Sequence, residues 1–168
     1  MSWSQFVDNY LVNRVNQNTG QVSYNVCEHG AIVGFDGSVL AATPEFALGS
    51  YSESVLMADG TSSMAQIDEL ATLHDAFQNG GMTSRPGGIR IHREKYFVVS
   101  YDSERNLMFL RKRNGGACVA KSGTAYVIGT FSAARKIKDS SGREDPQNPG
   151  AVNIACISLQ DVLLNSGV

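Results

Sequence analysis

Apolar residues at Trp3, Phe6, Val7, Tyr10 and Leu11 recur at i, i+3, i+4 spacing, which predicts a helix from Trp3 to about Val15. Asn16-Gln17-Asn18-Thr19-Gly20 breaks it. The apolar runs Gly30–Phe35 and Ser38–Ala42 flank Asp36-Gly37, a strong hairpin signal because both turn positions favour positive φ. Residues 43–62 show little periodicity and read as a loop. Ser63-Met64-Ala65-Gln66 fits a capping box, and Ile67, Leu70, Ala71, His74 and Phe77 form a helical stripe after it, stopped by Asn79-Gly80-Gly81. The period then changes to two. Gly88–His92, Lys95–Tyr101, Leu107–Arg113, Ala117–Lys121 and Ala125–Phe131 read as five strands joined by short polar turns. Residues 132–148 read as a polar, charged loop. Pro149 can open a last helix, whose buried stripe would be Val152, Ala155, Cys156, Leu159 and Leu163.

Short connections make neighbouring strands antiparallel. The predicted fold class is therefore α+β. It has a central antiparallel sheet of about six to seven strands, the N- and C-terminal helices on one face, and a short helix on the other. The 168 residues suit a single domain with a sizeable core.

Net charge is −2, but the two halves differ. Residues 1–80 hold one basic side chain, Arg14, against nine acidic ones, while residues 81–168 hold thirteen basic against seven acidic. Such polarity can present a basic face to an acidic partner. Three scattered cysteines, Cys27, Cys118 and Cys156, suggest neither a disulfide framework nor a zinc site, so reduced thiols and a cytosolic setting are expected. No run reaches the roughly 18 apolar residues of a membrane span, and no secretory signal is expected from the N-terminus.

Catalysis finds no support. His29, His74 and His92 are scattered, and no Ser, Cys or carboxylate stands in a catalytic spacing with them. His74 reads as a satisfied interior histidine. Gly34, Gly37, Gly115 and Gly116 are turn glycines without a phosphate-loop pattern, so no cofactor or metal is expected. Basic residues are not interleaved with aromatics, which argues against nucleic acid.

Several stretches together carry a family resemblance. Met1-Ser2-Trp3, Phe6-Val7-Asp8 and Leu11 resemble the start of the profilins, which usually have tyrosine at the place of Phe6. Ala31-Ile32-Val33-Gly34, Asp36-Gly37, Val39 and Ala41 resemble their first hairpin. Lys121-Ser122-Gly123-Thr124-Ala125, Val127 and Gly129 resemble their last strand pair, and Pro149-Gly150, Asn153, Leu159, Asp161 and Leu163 their C-terminal helix. The likeness spans the chain. Against compact relatives, segments near 16–29, 44–62 and 132–148 read as insertions into one profilin-like domain, 1–168.

The resemblance implies a cytoplasmic, cytoskeletal protein that binds monomeric actin, regulates its polymerisation and nucleotide exchange, and meets proline-rich proteins such as formins and phosphoinositide lipids. The alternative is a profilin-shaped peptide or lipid adaptor with little actin binding. Carried over by position, the actin surface comprises Met82, Lys95, Val98, Arg111, Arg113, Gly150, Asn153 and Ile157. Strand alternation puts Arg111 and Arg113 on one face and Lys112 on the other. Ser100 departs from relatives, many of which carry arginine there. For lipid, the resemblance offers Arg111, Lys112, Arg113 and Lys121, or the lysines of 132–148.

The family's proline-rich groove maps to Trp3, Phe6, Leu40, Val162 and Val168. Aromatic slots suit polyproline II segments, which are ordered before they bind. Leu40 and Val162 stand where relatives have aromatics, and Tyr10 is expected nearer the core by its phase. Losing an aromatic at a hot spot costs about 1–3 kcal/mol, so two losses weaken binding by roughly a hundredfold. Weak or altered proline-rich binding is the expectation.

Overall fold

The computed structural model describes residues 1–168. The chain opens with a capping box: the Ser2 hydroxyl accepts from the Gln5 amide, and the Gln5 side chain accepts from the Ser2 amide. The box starts α1 (Trp3–Phe6), which widens into a π-helical segment (Val7–Val12) where the Asn13 amide donates to the Asp8 carbonyl. The helix ends at Val12 rather than near Val15. Arg14 and Val15 leave it as a strand, β1 (Arg14–Val15), paired with β2 (Val22–Tyr24). The hairpin β3 (His29–Gly34) and β4 (Val39–Ala42) follows as predicted, with Gly37 of its turn at φ +91°.

Residues 43–62 are not one loop. β5 (Ser50–Leu56) and β6 (Ser62–Asp68) pair as a two-stranded ribbon whose inner face buries Tyr51, Val55 and Ile67. Serines and other polar residues on the outer face masked the alternation. Ile67 thus belongs to a strand, and Asp68, not Ser63, caps the next helix by accepting from the Ala71 amide. α2 (Glu69–Gln78) buries Leu73, Ala76 and Phe77, a phase shifted from the predicted stripe. The meander comprises β7 (Ile89–Ile91), β8 (Glu94–Asp102), β9 (Leu107–Lys112), β10 (Gly115–Lys121) and β11 (Ala125–Ser132). Residues 132–148, expected as a loop, fold into the hairpin β12 (Lys136–Asp139) and β13 (Glu144–Pro146). Asn148 then caps α3 (Pro149–Asn165), with Pro149 in its first turn.

Seven strands form one antiparallel sheet in the order β4-β3-β11-β10-β9-β8-β7. On one face, α1, the π segment and α3 bury Val7, Leu11, Cys118, Val127, Leu159 and Leu163. On the other, α2 buries Leu73 and Phe77 against Met108, Val119, Tyr126 and Ile128. The predicted α3 stripe is buried throughout. A four-stranded sheet, β1-β2-β12-β13, joins the 16–29 and 132–148 segments. Buried Gln147 clamps it beside α3: its carbonyl accepts from the Ser132 amide (3.0 Å) and its amide donates to the Asn25 carbonyl (2.9 Å). No helix is long and apolar enough to cross a membrane.

Candidate interaction surfaces

The first surface is a row of aromatic rings. The capping box sets the phase of α1, so that Val7 and Leu11 point into the core and Trp3 and Phe6 lie half-buried at its rim. Their ring centroids are 6.0 Å apart, and Tyr10 continues the row 6.2 Å beyond Phe6. Tyr10 is not nearer the core. It is half-buried like the other two and packs on the same rim of the core.

Leu40 of β4 and Val168 pack on the same core as Trp3 and Phe6, so both chain ends lie side by side. Val168 is tied at both backbone groups: its amide donates to Leu163 (2.9 Å), and its carbonyl accepts from Gly123 (2.7 Å). Val162 is half-buried on α3 and adds no ring.

The second surface lies at the β8–β9 end of the sheet. Phe97 faces Arg111 directly in the ladder, and the Lys95 ammonium lies 5.5 Å from the Phe97 ring. Phe97 and Val99 are 58% and 60% exposed, a large apolar area for a free strand. A cleft of about 510 Å³ opens between this face and the start of α3, lined by Val99, Ser100, Phe109, Arg111, Pro149 and Asn153. Gly150 is exposed beside Pro149 and Asn153, and Arg113 is exposed in the β9–β10 turn. Ile157 is half-buried and leans on the core, whereas Ile154 is exposed. The 132–148 hairpin leaves Arg111 and Arg113 uncovered.

Two residues named from the resemblance fall elsewhere. Val98 pairs with Leu110, whose side chain is in the α2-side core, and Val98 packs beside Gly81. Met82, 74% exposed, follows Gly81 and lines a separate shallow cleft with Asn79, Thr83 and Ser84. Phe97 and Val99 were not singled out from the sequence. The available signal was period two: Phe97 shares its face with Lys95.

The basic residues divide between faces. Lys112 lies over Tyr96 and Lys121 over Phe35, both on the α2 side, away from Arg111. Arg111, Lys112, Arg113 and Lys121 therefore do not form one patch.

Other polar groups are occupied structurally. Both His74 ring nitrogens have partners, the Tyr126 hydroxyl (2.6 Å) and the Phe35 carbonyl (3.0 Å). The cysteines are buried; burial pushes the Cys27 thiol well up, and a hydrogen bond with Cys118, followed by burial, does the same for Cys156, away from thiolate chemistry. No group of three His, Cys, Asp or Glu side chains is placed to hold a metal ion.

Comparisons with known proteins agree with this architecture. The profilin family model matches residues 1–168. A curated profilin from Tetrahymena pyriformis is 34% identical over 167 residues, covering 98% of this chain and 97% of that protein. Among solved structures, Acanthamoeba castellanii profilin IA superposes with a TM-score of 0.64 at 20% identity, covering 99% of this chain and all of that one. LokiProfilin2, solved in complex with rabbit actin, gives a TM-score of 0.52 at 12% identity over 83% of this chain and 86% of that one.

Proposed function

The chain belongs to the profilin family, and from that premise we propose that it binds monomeric actin and regulates filament assembly and nucleotide exchange by binding alone, in the cytoplasm and cytoskeleton. The observation that carries this reading is the β8–β9 face. An exposed apolar centre, Phe97 and Val99, is flanked by Lys95 and Arg111 and bounded by Pro149, Gly150 and Asn153 of α3. Apolar centres desolvated within a charged rim are what protein interfaces use. Actin is acidic, so the cations steer the encounter and set the docking register. Arg113 extends the rim and Ile157 supports it from the core side, whereas Met82 and Val98 lie off this face.

The aromatic row supports a second contact, with proline-rich segments such as those of formins. Trp3 and Phe6 supply stacking surface, while Leu40, Val162 and Val168 supply only aliphatic walls. We expect such binding to be weaker than in relatives with a full set of aromatics. The segments near 16–29, 44–62 and 132–148 elaborate the one domain as a small sheet and a ribbon rather than as loose loops.

The test is a dissociation constant for monomeric actin, with assembly followed by pyrene fluorescence. Wild-type protein should bind in the micromolar range or tighter, and Arg111→Glu with Arg113→Glu should weaken binding by about a hundredfold, near 2.7 kcal/mol. Absence of wild-type binding would leave the peptide adaptor as the function.

A further inference from the structure

Arg14 is the one basic side chain in the first 80 residues. It is half-buried, and no carboxylate lies within ion-pair distance of it. It lines a cleft of about 360 Å³ between the π segment and α3, together with Met1, Asn9, Tyr10 and Ser158. Tyr10 is thus both the last ring of the aromatic row and a wall of the cleft that holds Arg14. The lining is mixed, with a hydroxyl, an amide and a guanidinium beside apolar surface, unlike the rim at Trp3 and Leu40.

The row has a measurable pitch. Its ring-to-ring steps are 6.0 and 6.2 Å. A polyproline II segment advances about 3.1 Å per residue with three residues per turn, so a few turns of it present prolines to all three closely spaced rings without one residue being matched to each ring. A segment laid along Trp3, Phe6 and Tyr10 then runs off the third ring into the cleft. The first charged group it meets there is a guanidinium with no partner. Such a group gains most from a carboxylate, through charge-assisted hydrogen bonds in a partly dehydrated site.

We propose that the peptide groove of this chain is displaced toward Arg14, with Tyr10 as its third ring, and that it selects proline-rich segments carrying an acidic residue beside the proline run. This rests on the proline-rich reading above and adds the ligand's charge and the residues that read it. Tyr10 contributes a stacking face and a hydroxyl donor that Phe6 lacks, and Arg14 reads the flanking carboxylate.

The test uses the full chain and capped oligoproline peptides bearing an Asp-Glu pair, a Lys-Lys pair or no charge beside the prolines, titrated against the fluorescence of Trp3, the single tryptophan. Acid-flanked peptides should bind about tenfold tighter than neutral ones and tighter still than basic ones, with the difference shrinking as salt rises. Arg14→Gln should erase the preference and Arg14→Glu should reverse it, while Tyr10→Leu should weaken all three peptides. Equal binding of acidic and neutral peptides, or a preference that survives Arg14→Gln, overturns this inference and leaves the proline-rich reading standing. If no peptide binds at all, that reading falls and this one with it. Should a variant fail to fold, the ranking of peptides on the wild-type protein decides by itself.

Discussion

Phe97 stands directly opposite Arg111 across the β8–β9 ladder, so the most exposed aromatic ring of the sheet and a free guanidinium share one face. Val98, the next residue, turns the other way toward Gly81. The two neighbours are therefore separable by mutation. Phe97→Ala should weaken actin binding by about tenfold to a hundredfold, as loss of a central apolar anchor does, with little change in stability. Val98→Ala should leave actin affinity within about threefold, because its side chain lies off that face. An actin titration of both variants checks this, and equal losses would mean the interface lies elsewhere.

The β7–β8 turn places His92 (φ +51°) and Arg93 (φ +68°) in the left-handed region, which non-glycine residues enter at a cost. Glu69, fully buried, supports it by accepting from both amides, at 3.0 and 2.9 Å. The same carboxylate accepts from the Gly49 amide (2.9 Å) and the Tyr51 hydroxyl (2.5 Å). Burial, with this carboxylate beside it, pushes Tyr51 up to about 12. Glu69→Ala strands four donors and should cost about 3 kcal/mol or more in urea unfolding. Glu69→Gln should recover only part, since its amide group turns a donor toward donors. A loss under about 1 kcal/mol for Glu69→Ala would show that water replaces the carboxylate.

His29 lies 4.8 Å from His92, ring to ring, with Glu28, Arg135 and Lys112 also facing it. Burial holds its pKa below 6.5, the positive neighbours lower it further, and Glu28 opposes them. The folded chain therefore resists a proton that the unfolded chain accepts. Stability owed to this site is whole above about pH 6.5 and declines as pH falls below it. Thermal melts should show wild-type protein losing more between about pH 7 and pH 5.5 than His29→Gln. Parallel losses would remove His29 from the account.

Gly129 sits beneath α3. A methyl group there would lie 2.7 Å from the Cys156 sulfur and 3.1 Å from that of Cys27. Both neighbours are fully buried and cannot withdraw. Gly129→Ala should destabilise by about 1–3 kcal/mol through overpacking, and pairing it with Cys156→Ala should restore part of the loss. Additive losses in denaturant unfolding would contradict the contact.

Much of this was legible in the residues. Period-two alternation from Gly88 to Phe131 placed the meander, Pro149 placed the start of α3, and the α3 stripe was right at every position. The ribbon Ser50–Asp68 was missed because serine and other polar side chains on its outer face broke the apolar signal over the strand Tyr51 and Val55 define. The 132–148 hairpin was missed because it buries little and is held by pairing with Tyr24 and Ser23, over a hundred positions away. Val98 was named by likeness, and period-two alternation puts Phe97, not Val98, on the face of Lys95.

What the chain's own order of residues determined is the set of elements and their inward faces, since burial of apolar stripes is a local, periodic demand. What only the tertiary structure decided is which outward faces meet: the row that sets Tyr10 beside Phe6, the cleft that leaves Arg14 alone, and the opposition of Phe97 and Arg111. Those relations depend on helix winding and strand register, which are settled by packing between distant segments rather than by neighbours in sequence.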